Sequence, residues 1–148
     1  MTLVSNERRV DRSGWDPGPW DGEPDLVAFE HAGLQCVLNR NYMGGWCGYV
    51  GVPDANPAFS KDYDDVQVSV HGGLTYGGDD NPATWDKDGL WWLGFDCGHF
   101  MDLIPYIHAS AKIRSRGVGL RGDMGEVYRD LAYVLKETED LAEQLSKV

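Results

Sequence analysis

Leu90-Trp91-Trp92-Leu93-Gly94-Phe95 is the run whose reading decides the fold. It is bulky, apolar and too short for a helix, so it reads as a strand buried near the centre of a sheet. It leads directly into Asp96-Cys97-Gly98-His99-Phe100-Met101-Asp102. Upstream, Val66-Gln67-Val68-Ser69-Val70 alternates apolar and polar residues with the period of a half-buried strand, then enters His71-Gly72-Gly73-Leu74-Thr75-Tyr76. A strand that stops at glycine beside a histidine or carboxylate delivers that group to the rim of a sheet. Pairing of these two strands brings His71, Asp96, His99 and Asp102 around one hollow.

Outward from this pair, Leu26–Glu30 and Leu34–Asn39 read as a hairpin turning near Gly33, and Gly45–Pro53 as a third strand ended by proline. Asp54–Asp65 and Gly77–Gly89 read as acidic loops. Gly98–Ser110 starts a short helix that Pro105 interrupts. Asp123-Met124-Gly125-Glu126 has the form of a capping box. Val127, Leu131, Val134, Thr138, Leu141, Leu145 and Val148 then recur at helical spacing, so a helix is expected from Met124 to Lys147. Lys136/Asp140 and Glu143/Lys147 are spaced to pair across a turn. The expectation is an α+β domain over residues 26–148: a mixed or antiparallel sheet of about five strands with a long C-terminal helix. That helix packs on the sheet or forms a homodimer seam. Residues 1–25, rich in Gly, Pro and Arg, read as a flexible N-terminal arm whose two tryptophans can dock on the domain or on a second subunit.

The chain has 148 residues and a formal net charge of −11, which argues against bulk nucleic acid as a partner. Between Asp54 and Asp102 ten Asp face only two Lys. Such a block reads as solvated loops or as a divalent-cation site. No apolar run reaches the roughly 18 residues that a membrane span needs. Cys36, Cys47 and Cys97 lack CxxC spacing and read as free thiols in a reducing, cytoplasmic setting. Cys97 lies between the polar groups as a candidate nucleophile, although a buried, inert thiol is the commoner case.

Two chemistries suit the four polar residues. His71 and His99 can serve as general base and general acid on a phosphoester without metal, with Asp96 or Asp102 fixing a tautomer. Alternatively Asp96, His99 and Asp102, at intervals of three, line one face of a helical turn around a divalent metal, with His71 as a fourth ligand. The bland alternative has His71 ending a strand and Asp96 closing a turn. Thr75 and Tyr49 are candidate ligand contacts. Arg114, Arg116 and Arg121, in the basic segment Lys112–Gly122, form a candidate phosphate cradle.

Three blocks taken together carry a resemblance: Cys47-Gly48-Tyr49-Val50-Gly51-Val52-Pro53, Val70-His71-Gly72-Gly73-Leu74-Thr75-Tyr76 and Trp91-Trp92-Leu93-Gly94-Phe95-Asp96-Cys97-Gly98-His99. With Tyr128-Arg129-Asp130 and Tyr133-Val134, they resemble a family of small bacteriophage and prophage proteins that has no established activity. The resemblance implies a bacterial host cytoplasm and a role against host defence. The expected function is therefore a small hydrolase of a phosphoester or cyclic nucleotide, using no cofactor or a divalent metal. The alternatives are a protein that sequesters such a nucleotide, or an inhibitor that binds a host protein.

Overall fold

The computed structural model describes residues 3–5, 8–107, 109 and 126–148. Six antiparallel strands form one sheet: β1 (Leu3–Ser5), β2 (Leu26–His31), β3 (Leu34–Arg40), β4 (Trp46–Val52), β5 (Tyr76–Asp80) and β6 (Lys87–Asp96), in the order β1-β2-β3-β4-β6-β5. Among the described residues one long helix, α1 (Leu131–Ser146), lies on one face. The α+β expectation holds, with a purely antiparallel sheet.

The β2–β3 hairpin turns at Ala32 and Gly33, both with positive φ. This is the local geometry that a two-residue hairpin turn demands. In β4, Trp46, Val50 and Val52 point toward the helix, whereas Cys47 and Tyr49 pack on the opposite face with Leu26, Val37 and Trp92. Gly48 sits where the helix crosses: a Cβ there would lie 2.2 Å from Thr138 Oγ1, so a side chain would push the helix off the sheet. Val134, Thr138, Leu141, Ala142 and Leu145 form the buried stripe of α1. Each fully buried leucine or valine contributes about 1.5–3 kcal/mol.

The structure departs from the sequence reading in four elements. Val66–Val70 has the alternating burial of a strand, but it belongs to no ladder. Its backbone is held instead by side chains of α1: Gln144 Oε1 accepts from Ser69 N at 2.7 Å, and Gln144 Nε2 donates to Ser69 O at 2.8 Å. The loop expected at Gly77–Gly89 contains edge strand β5 and the first residues of β6. The helix begins at Leu131 rather than Met124. Asp130 caps it by accepting from Tyr133 N at 2.9 Å, while the preceding Val127 pairs with Asp102 in a parallel bridge. Val127 and Val148 are consequently exposed ends of the expected stripe. Lys136 pairs with Asp140 at 2.8 Å, but Glu143 meets His31 at 3.0 Å. Finally, Pro105 stands at the start of helical backbone at 105–107 and does not interrupt it. The basic segment with Arg114, Arg116 and Arg121, and the expected cap at Asp123, lie outside the described residues.

Residues 8–25, expected to be a flexible arm, are docked on the domain. Trp20 is buried in a 3-10 turn at Pro19–Gly22, edge-on to Tyr128. The anchor is Arg40, whose side chain is 0% exposed. Its Nε donates to Asp25 Oδ1, its Nη2 to Glu23 Oε1, and its Nη1 to Gly44 O and Tyr128 Oη. Asp25 also pairs with Arg12, and Glu23 Oε2 accepts from Leu131 N at 2.7 Å, capping α1. Apart from the 3-10 turn, residues 8–25 carry no helix or strand, as their glycines and prolines suggest; charge pairing and the burial of Trp20 hold them down. Arg40→Met removes the cation that bridges Asp25 and Glu23, leaving Asp25 to Arg12 and Glu23 to Tyr128 and the Leu131 amide, and is expected to cost about 2–3 kcal/mol. Urea unfolding measures this, and a loss below about 1 kcal/mol would show the network to be dispensable.

Candidate functional site

The Val66–Val70 segment ends at His71, where Glu137 Oε1 of α1 accepts from His71 N at 2.8 Å. Beyond β6, the chain bends through Gly98 and passes Met101 at φ +74°, a left-handed conformation that costs an L-residue roughly 1–2 kcal/mol. This bend turns Asp102 back so that its Oδ2 accepts from His99 N at 3.0 Å. Gly72, at φ +67°, packs against the His99 ring; a Cβ there would lie 2.3 Å from the imidazole. Two sequence-distant turns are thereby pressed together.

The Asp102 side chain is 2% exposed and accepts from three donors. His71 Nε2 lies 2.9 Å from Oδ2, Arg129 Nε lies 3.0 Å from Oδ1, and the His99 amide completes the set. Burial works against ionisation of Asp102, but the hydrogen bonds from His71, Arg129 and the His99 amide outweigh it. The carboxyl is held below the usual carboxylate range. The other nitrogen of His71, Nδ1, meets the Tyr133 hydroxyl at 2.7 Å. With Asp102 ionised, Nε2 carries the proton and Nδ1 accepts from the phenol. Burial, followed by the Glu137 carboxylate, pushes the Tyr133 hydroxyl above its ordinary range. Arg129 also lies over the Tyr133 ring, 4.8 Å from its centroid.

His99 faces His71 edge-on, with ring centroids 5.8 Å apart. Among the described residues its buried Nδ1 has no hydrogen-bond partner; it lies 3.7 Å from Asp102 Oδ2 and 3.6 Å from Asp96 Oδ1. Asp96 is the last residue of β6, so the expected helical face of Asp96, His99 and Asp102 does not form. Its carboxylate closes a turn, accepting from Gly98 N at 2.9 Å and Thr75 Oγ1 at 2.9 Å. Thr75 thus reaches the rim through Asp96. The set that converges with ligand geometry is His71, His99 and Asp102, whose donor atoms lie within 4.8 Å of one another. Tyr49 is on the other face of the sheet and is not part of this site. Cys36, Cys47 and Cys97 are free and buried. Burial pushes the Cys97 thiol up, as in an inert, buried cysteine.

Sequence reasoning missed Tyr133 and Arg129. Tyr133 sits on the first turn of α1, beside the cap residue Asp130, where an aromatic reads as ordinary helix packing. A groove of about 610 Å³ runs from His71 along α1, lined by Glu137, Asp140 and Glu143.

Because the folded-state pKa of Asp102 is depressed, its stabilisation is present above the unfolded carboxyl value near 3.9 and is lost as pH falls through the folded value. Asp102→Asn is expected to destabilise by about 3 kcal/mol at neutral pH. The gap from wild type should narrow below about pH 4, as read by urea melts across the range; a pH-independent gap would contradict the pairing. Comparison with family models, with curated proteins and with solved structures found no match, so the chemistry of this site rests on its own geometry.

Proposed function

We propose that the chain is a hydrolase of small phosphoesters, cyclic nucleotides among them, with the Tyr133 hydroxyl as nucleophile. The observation that carries this reading is the unbroken row Tyr133–His71–Asp102, at 2.7 and 2.9 Å. A nucleophile bonded to a base, itself oriented by a third group, is the general signature of covalent catalysis. Both nitrogens of His71 are engaged within the protein, so it acts on substrate through Tyr133. Tyr133 oxygen attacks phosphorus as its proton passes to His71 Nδ1, and Asp102 stabilises the imidazolium. The bond to the leaving oxygen breaks, and His99 supplies its proton. Water then cleaves the phosphotyrosine, giving a proton to His99, while His71 returns its proton to the phenol. Arg129, turned toward Asp102 by one edge and stacked on Tyr133, is the described cation placed to meet phosphate charge. The carboxylates of the adjoining groove oppose a long phosphate backbone more than a single ester, consistent with a small substrate. The resemblance to phage proteins adds a nucleotide signal of host defence to the candidate substrates.

A second reading has a specific observation behind it. His99 Nδ1, buried and unpartnered beside two carboxylates, suits a divalent cation held with His71 and Asp102 that activates water directly. That ion must displace the proton His71 shares with Asp102.

One assay separates the two. Full-length protein is incubated with bis-p-nitrophenyl phosphate and with 2′,3′- and 3′,5′-cyclic nucleotides, with and without EDTA. The tyrosine mechanism expects EDTA-resistant turnover and a loss of at least about 100-fold, near 2.7 kcal/mol, in Tyr133→Phe. Wild-type rates in Tyr133→Phe, or intact substrates throughout, would overturn it. EDTA-sensitive turnover that survives Tyr133→Phe would establish the metal reading instead.

A further inference from the structure

The opposite face of the sheet carries a second concavity that the proposed chemistry does not use. It has a volume of about 560 Å³ and is lined by Arg8, Arg9, Asn39, Tyr49, Pro82 and Trp85, among others. That size suits a small organic ligand. Asp25 and Arg40, also at its wall, are committed to each other. Arg8 and Arg9 are not: their guanidinium groups reach backbone carbonyls, Glu23 O at 2.7 Å and Ala83 O at 2.9 Å. Among the described residues, neither has a carboxylate partner. On a chain of net charge −11, this wall is a local excess of positive charge.

Trp85 supplies the independent observation. It lies in the β5–β6 turn, where Trp85 N donates to Asn81 O at 2.6 Å and Asn81 N to Asp86 O at 2.8 Å. Its φ is +61°, at a position where such turns favour glycine or asparagine. A bulky residue is strained there, and Trp85 is also 54% exposed, so burial does not repay the strain. The turn is pinned over the cavity from two sides, by Arg9 to Ala83 O and by Asn39 Nδ2 to Pro82 O at 3.1 Å. A half-exposed indole on a pinned turn, beside two guanidinium groups with no carboxylate partner among the described residues, is what an anion bearing a flat ring needs.

We propose that this cavity binds a nucleoside monophosphate, with its base stacked on Trp85 and its phosphate met by Arg8 and Arg9. The site is separate from the Tyr133–His71–Asp102 row, since Tyr49 at its floor faces away from α1.

Calorimetric titration of the full chain with AMP and GMP tests this. Saturable binding that weakens with salt is expected. Trp85→Gly should lower affinity at least about tenfold while the thermal midpoint stays at or above the wild-type value, because glycine relieves the turn. Arg8→Ala, at an exposed side chain, should weaken binding comparably without altering the fold. Tyr133→Phe, which removes one hydroxyl from the proposed hydrolytic row and leaves Asp102 its donors, should leave binding intact and so separates this site from that one. Absence of saturable heat with both nucleotides, wild-type affinity in Trp85→Gly, or binding lost in Tyr133→Phe would each overturn the assignment.

Discussion

The Asp102 carboxylate is the point on which this molecule is assembled. Burying a charge is costly unless donors surround it, and Asp102 obtains its donors from three separate stretches: His71, the His99 amide and Arg129. Satisfying that one group brings the end of the long 53–75 connection, the bend after β6 and the entry to α1 together. The orientation of His71 follows. With Nε2 turned to Asp102, Nδ1 can only face outward, and α1 has placed the Tyr133 hydroxyl there. A similar logic operates at the other end of the helix entry, where Glu23 serves Arg40, Tyr128 and the amide of Leu131 at once. The N-terminal residues therefore contribute to the position of Tyr133 without approaching it.

How far the sequence was legible depends on what kind of signal each element left. The run Leu90–Phe95, the hairpin around Gly33 and the stripe from Val134 to Leu145 all declare themselves through apolar period, because burial is what each element is for. Val66–Val70 declared its alternating burial equally well. Alternation reports which side chains are covered, however, and not what satisfies the backbone, and here Gln144 takes the place of a neighbouring strand. Tyr76–Asp80 left no signal, since two glycines and two aspartates carry little strand propensity; its ladder with β6 decides the matter. The helix start was misplaced because the Asp123–Glu126 pattern is a local rule. The backbone around Val127 is engaged by Met101 and Leu103, a long-range demand that no local pattern shows.

The same distinction governs the sites. The convergence of His71, His99 and Asp102 could be read from glycine-flanked polar residues at the ends of apolar runs. Tyr133 and Arg129 could not, because their roles come from a helix that docks across the sheet. Asp96 was weighted too heavily: it has the local work of closing a turn and fixing Thr75. Tyr49 was assigned to the wrong hollow, because strand alternation sends it to the face opposite Gly48 and the helix. The sheet thus separates two different environments. One has a hydrogen-bonded Tyr133–His71–Asp102 row beside an acidic groove; the other has exposed arginines beside a strained tryptophan.

The central claim is the hydrogen-bonding state of one imidazole, and nitrogen-15 NMR of histidine-labelled protein reads it directly. At pH 8, where an ordinary imidazole is neutral, His71 should be a single Nε2–H tautomer. Its Nδ1 should carry the shift of a hydrogen-bond acceptor, altered when Tyr133 is replaced by phenylalanine. An Nδ1–H tautomer, or the averaged shifts of a ring exchanging freely with solvent, would contradict the account.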